Sequence, residues 1–195
     1  MRYTILALLF VPALAVAQNT RAITLPDTLG ANFPVADTLT ATSQPGDYDF
    51  LIGTWRFKFQ SRNRQGQFQQ PFTGLWVFEK KQTGGNGTLI EDHFRPDDNS
   101  TPWDAGTWTY RAYNPQRKIW EMQGINTYVG SWQPGWMWRA GNDRLLTEWY
   151  GAMLVRFRYF AIEEDRFLWR ADATFDRGKT WLLDYWTMEV ERVAK

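Results

Sequence analysis

The sequence predicts an all-β fold, a single antiparallel closed barrel of about nine or ten strands, and three observations carry this. From Gly53 onward apolar and polar residues alternate with period two. Trp55, Phe57 and Phe59 are set against Arg56, Lys58 and Gln60, and Trp108, Tyr110 and Ala112 against Thr107, Thr109 and Arg111. Clusters of Gly, Pro, Asn and Asp break this alternation at strand-length intervals. No long helical pattern interrupts it, and many antiparallel strands in one chain call for closure, because a closed barrel has no unpaired edge.

The elements follow in chain order. MRYTILALLFVPALAVA, residues 1–17, reads as a secretory leader: Arg2 supplies the positive end, Ile5 to Val16 the apolar stretch, and Ala15-Val16-Ala17 the small-residue cleavage site. Export to the periplasm or the exterior is therefore expected. Pro12 interrupts the apolar stretch, which is too short to span a bilayer, and no later segment is long and apolar enough to insert. Residues 18–46, rich in Thr, Ala and Pro with one aromatic, Phe33, read as a flexible arm, a spacer or a lid across the barrel mouth.

The barrel domain occupies 47–195. After the strand at Gly53 come FTGLWVFEK from 72, TLIEDHF from 88, the Trp108 run, KIWEMQGIN from 118, RLLTEWY from 144, MLVRFRYFAIE from 153, RFLWRADATF from 166 and TWLLDYWTMEVER from 180. Tyr128 to Arg139, with Gly, Trp and Pro134, reads as an edge strand or a long loop. Asp47 or Asp49 is placed to cap a short turn leading into Gly53.

Composition narrows the function. There is no cysteine, which excludes disulfides, a thiolate nucleophile and sulfur-ligated metal. The 21 acidic side chains balance 22 basic ones, of which Arg2 lies in the leader. That balance argues against nucleic acid held by broad basic electrostatics. Twelve Trp, 13 Phe and 8 Tyr supply ample apolar surface for one core.

DYDFLIGTW, residues 47–55, gains meaning in a barrel. Gly53 permits a close backbone approach under one end, and Trp55 turns inward as a plug. On the last strand Arg192 has the inward parity, placing its guanidinium to stack on the Trp55 ring. This Gly-x-Trp with a late Arg resembles the calycin superfamily of lipocalin-like barrels. DYDFLIGTW, LIEDHFR, YNPQRKIWE and TFDRGKTW together resemble an uncharacterised family of secreted, lipocalin-like bacterial domains, over roughly residues 47–193. The resemblance implies a barrel with an internal cavity and no assigned reaction. Among the calycins the heme-binding nitrobindins also begin with Gly-x-Trp, with an axial histidine late in the chain. No histidine follows His93 here, so heme is not expected.

Hairpin geometry gives a first lumen. If Glu164-Asp165 is a two-residue turn, Arg158 faces Ala171 and Arg156 faces Ala173. If Phe175 pairs with Thr180, Asp184 and Leu182 join the same two rows. Arg156, Arg158 and Asp184 would then hold a carboxylate or other anionic head, with Trp108, Tyr110, Trp169 and Trp186 as ligand-binding aromatic walls. The alternative is a structural Arg–Asp pair, and a one-residue slip would turn the arginines outward. Glu91 and His93, if both face inward, form the weak candidate for a catalytic acid/base pair; a lone histidine is also a common structural residue.

In TFDRGKTW, Asp176 accepts turn amides, Gly178 takes positive φ and Trp181 packs on the hairpin, like the aspartate box of sialidase-type propellers, though it occurs once. The GKT within it lacks the first glycine of a phosphate loop, since Ala173 stands there. GGNG at 84–87 is a hairpin loop, and Ser131 lacks the surroundings of a nucleophile elbow. No metal site and no cofactor are expected. The expected partner is a small hydrophobic or amphipathic ligand, in a monomer or homodimer. The alternatives are a barrel isomerase, cyclase or hydrolase, and an interaction domain with a filled core.

Overall fold

A computed structural model describes residues 43–82, 87–97, 106–126 and 131–194. The leader over 1–17 and residues 18–42 of the arm lie outside the described residues. Among the described residues a 3₁₀ turn, Asp49–Leu51, leads into ten strands. These are β1 (Gly53–Ser61), β2 (Phe72–Gln82), β3 (Thr88–Pro96), β4 (Thr107–Asn114), β5 (Ile119–Asn126), β6 (Ser131–Ala140), β7 (Asp143–Tyr150), β8 (Met153–Phe160), β9 (Arg166–Thr174) and β10 (Leu182–Ala194). Each pairs antiparallel with its sequence neighbours, and β1 pairs with β10 to close the barrel. The predicted fold class is the observed one.

The segment Tyr128 to Arg139 departs from expectation. From Ser131 it forms β6, paired on both sides with β5 and β7, and is neither edge nor loop. Pro134 gives up one amide of the ladder and is exposed. Gly135 faces inward, where a Cβ would meet Met122 Cε at 2.8 Å and Leu146 Cδ1 at 3.0 Å.

The 3₁₀ turn closes one end of the barrel. Gly53 takes φ of 124°, a conformation that favours glycine, and turns the chain from the plug into β1. Trp55 is fully buried, donates its indole N–H to Leu51 O at 2.6 Å and packs edge-on against Phe167, 4.9 Å between ring centroids. Arg192 lies 3.9 Å over the Trp55 ring and donates to Ile52 O and Phe50 O at 2.7 and 2.9 Å, and to Glu164 O at 2.7 Å. One guanidinium thus satisfies carbonyls of the plug that no strand reaches.

Neither Asp47 nor Asp49 caps the turn, whose N-cap is Tyr48 without a side-chain hydrogen bond. Asp47 instead accepts the Gln44 amide at 2.6 Å, and Asp49 pairs with Lys80. Residues 43–46, the end of the predicted arm, are seated on the barrel. Buried Ser43 accepts from the Arg139 amide and from the Tyr113 hydroxyl, and Gln44 O accepts the Trp120 indole N–H.

Small residues let the rings of this packed half lie flat. Gly74 on β2 faces Phe57 on β1, and a Cβ there would come within 2.3 Å of both the Phe57 ring and Arg95 O. Phe57 in turn stacks on Phe94 at 4.2 Å. Gly74→Ala is expected to cost about 2 to 3 kcal/mol by overpacking, read as a lower denaturant midpoint at unchanged slope.

Candidate functional site

Above the plug the rings no longer fill the interior. A cavity of about 80 Å³ lies toward the opposite end of the barrel, walled by Phe59, Trp76, Phe157, Trp169, Trp186 and Met188. Half-buried Phe72, Phe94, Thr107 and Tyr150 surround its mouth. Into this apolar chamber the strands direct a cluster of polar side chains: Asp92 from β3, Thr109 and Arg111 from β4, Glu148 and Tyr150 from β7, and Tyr159 from β8.

Inward parity places each of them. On β3, buried Ile90 and Asp92 alternate with Leu89, Glu91 and His93, and Asp92 stands opposite Thr109. Asp92 and Arg111 are 1% and 2% exposed and form an ion pair, while the Trp76 indole donates to the other Asp92 oxygen. Arg111 Nε is buried in the chamber without a hydrogen-bond partner. Arg111 also lies 5.4 Å over the Phe78 ring.

Glu148 is 4% exposed, and burial pushes its carboxyl up to about 8, although Tyr150 and Arg111 pull the other way. The Tyr150 hydroxyl, itself driven well above the usual tyrosine range by burial, donates to Glu148 Oε2 at 2.9 Å. At neutral pH Glu148 is therefore mostly a neutral acid, and the Asp92–Arg111 pair is balanced. The chamber presents hydrogen-bonding groups with little net charge.

The residues singled out from the sequence divide sharply. Trp169 and Trp186 line the cavity. Trp108 and Tyr110 belong to the outer parity of β4, because Thr107, Thr109 and Arg111 hold the inner one. His93 is also outside: it stacks on Trp108 at 4.1 Å and lies over Gly106, where a Cβ would touch His93 Nε2 at 2.6 Å. Glu91 pairs with Lys81 at 3.6 Å on the same outer surface. The expected inward Glu91–His93 pair is not formed, and burial beside Arg95 lowers the His93 pKa.

Arg156, Arg158 and Asp184 are likewise on the outer face, contrary to the hairpin argument. Arg156 pairs with Asp172 at 3.0 Å under the Trp181 ring, Arg158 with Asp143 at 2.7 Å, and Asp184 with Arg170 at 3.5 Å. Two bulges explain the difference. The turn at Glu164-Asp165 begins as expected, with the Glu163 amide donating to Arg166 O at 2.9 Å. Ala161 at φ 48° then inserts a residue, so that Arg158 faces Arg170 and Tyr159 faces Trp169. On β10 Leu182 faces Ala173 as expected, but Asp184 at φ 48° sits in a bulge before Trp186 faces Ala171.

At the hairpin tip Asp176 accepts the amide and hydroxyl of Thr180 at 2.9 and 2.7 Å, and these bonds hold its carboxyl at about 2. Gly178 has φ of 88° and donates its amide to Thr174 Oγ1.

The chain matches no family model and no curated protein. Among solved structures it resembles an S-type phycobiliprotein lyase from Guillardia theta, with 12% identity and a TM-score of 0.53 over 76% of this chain and 91% of the lyase. It also resembles a protein of M. tuberculosis, with 11% identity and a TM-score of 0.44 over 82% of this chain and 99% of that one. A protein of unknown function of the DUF3598 family from Nostoc punctiforme aligns with 14% identity and a TM-score of 0.44, over 84% of this chain and 53% of the other. The fold, a closed ten-stranded antiparallel barrel, is similar to that of the lyase.

Proposed function

We propose that this protein is an exported barrel, periplasmic or secreted, that holds a neutral amphipathic small molecule. The polar head sits among Arg111, Glu148 and Tyr150, and the apolar body lies along the aromatic wall toward the mouth. Residues 1–17 support export, and the four motifs quoted above support a place among the secreted lipocalin-like bacterial domains. The observation that carries the binding reading is the unpartnered, buried Arg111 Nε inside an aromatic chamber. Burying such a donor costs roughly 1 to 3 kcal/mol, which an acceptor on a ligand would recover.

The cavity has room for on the order of six waters, so it takes a head group and leaves the rest of the molecule toward the mouth. Arg111 is already paired and Glu148 is protonated at neutral pH, so a carboxylate gains little there, unlike the anionic head expected from the sequence.

Tryptophan quenching at pH 7 with a long-chain alcohol and the fatty acid of equal length tests this. The alcohol is expected to bind about tenfold or more tightly. Thr109→Phe, which puts a ring into the chamber, is expected to abolish quenching, while Arg158→Met on the outer face leaves it intact. Saturable quenching that survives in Thr109→Phe would remove the cavity as the site.

A second reading is a proton-transfer enzyme in the same chamber. What favours it is a neutral carboxyl at Glu148, held by Tyr150 and ready to exchange a proton with a bound molecule. Turnover lost in Glu148→Gln with binding retained would select it.

A further inference from the structure

The exposed apolar side chains are not scattered. Of the five large ones among the described residues, Phe68, Trp132, Phe175 and Leu183 belong to segments at the open end, and Val193 alone to the plugged end. Isolated exposed apolar residues are ordinary, but Phe68, Phe175 and Leu183 lie on neighbouring segments at the open end, with Trp132 across the barrel on β6.

Two of them are held beneath guanidinium groups. Arg62 lies 3.9 Å over Phe68 and Arg64 lies 4.6 Å over Phe175, which joins the β1–β2 connection to the β9–β10 hairpin. Arg177 and Lys179 are exposed on that hairpin. Its acid, Asp176, is committed to the turn through Thr174 and Thr180. These two segments therefore carry four cations against one carboxylate, while the neighbouring Asp184 is balanced by Arg170.

The sector is also continuous with the chamber. Phe175 packs on Tyr185 at 5.8 Å between centroids, and Tyr185 on the cavity-lining Trp186 at 5.5 Å.

We infer that the β1–β2 connection and the β9–β10 hairpin form a docking surface for an anionic phospholipid bilayer, on which the barrel rests mouth-first. Aromatic rings at the level of the head groups and arginines against lipid phosphates are what such an interface requires. An acyl-chain-bearing or otherwise amphipathic molecule would then pass between bilayer and chamber without crossing open water. The docking surface does not depend on what fills the chamber, so vesicle binding and ligand quenching succeed or fail separately.

The test is flotation of the protein, isolated in its natural processed form, with vesicles of phosphatidylglycerol and, in parallel, of phosphatidylcholine. Binding to phosphatidylglycerol is expected to exceed binding to phosphatidylcholine by about tenfold or more and to fall as salt is added. Arg64→Glu/Arg177→Glu is expected to lower the partition about 30-fold or more. Phe68→Ser/Phe175→Ser is expected to weaken it while keeping its salt dependence. Both variants retain cooperative denaturant unfolding in solution, which shows that the barrel is folded. Absence of binding to phosphatidylglycerol, equal binding to both lipids, or undiminished binding of the Arg64→Glu/Arg177→Glu protein overturns the inference.

Discussion

Replacing Arg111 by methionine is expected to lower stability by about 3 to 5 kcal/mol, a large share of what a domain of this kind possesses. The loss has a specific origin. Asp92 is 1% exposed, between the Trp76 indole and Arg111, and removal of the guanidinium leaves a carboxylate in an apolar chamber with one neutral donor. Arg111→Met/Asp92→Asn should recover most of the loss, because the asparagine oxygen still accepts from Trp76 and no charge remains buried. Denaturant melts of the two single variants and the double variant give a coupling energy expected above about 2 kcal/mol. Additive losses would mean that the two groups do not sense each other, and the polar floor of the chamber would lose its basis. In quenching experiments the double variant should be folded yet bind weakly, since the donor offered to the ligand has gone.

That floor shows where the sequence is readable and where it is not. Period-two alternation located nearly every strand, because burial on one face forces it. The plug was legible too: Gly53, Trp55 and Arg192 carry a backbone constraint, a ring and a cation at separations that closure brings together. Parity within each strand was the weak link. On β4 the rings Trp108 and Tyr110 suggest an inward face, yet the inner set is Thr107, Thr109 and Arg111, because a polar chamber inverts the usual rule.

β3 held a usable signal. Asp92 lies between Ile90 and Phe94, an acid on the apolar parity, and its partner Thr109 then fixes the face of β4. On β8 and β10 no residue type announces the bulges at Ala161 and Asp184, both non-glycine residues with positive φ. A single inserted residue exchanges the faces of a strand, and it turned Arg156 and Arg158 to the outer side of the sheet, where Arg156 is buried against Asp172 and Trp181.

The same chamber makes stability depend on pH in a direction opposite to that of most carboxylates, and Glu148→Gln exposes it. In the unfolded chain Glu148 titrates near 4.5, and in the folded protein near 8. Between those values the folded state holds a proton that the unfolded state has released, so this group's contribution is complete below pH 4.5. It falls by roughly 1.4 kcal/mol per pH unit as pH rises toward about 8, and is constant above that.

Glu148 shares its surroundings with the buried amide of Gln133. Glu148 Oε1 and Gln133 Oε1 both converge on Gly124, at 3.1 and 3.3 Å from the position of a Cβ there, and Gln133 Oε1 is buried without a hydrogen-bond partner. Glutamine cannot ionise, so Glu148→Gln removes the pH-dependent penalty. Relative to wild type the variant is expected to gain a few kcal/mol between about pH 5 and pH 8, read from urea midpoints of both proteins across that range. A stability difference that stays flat with pH would mean that Glu148 is ionised in the folded barrel. The chamber would then be anionic, and the preference for a neutral ligand over a carboxylate would need another cause.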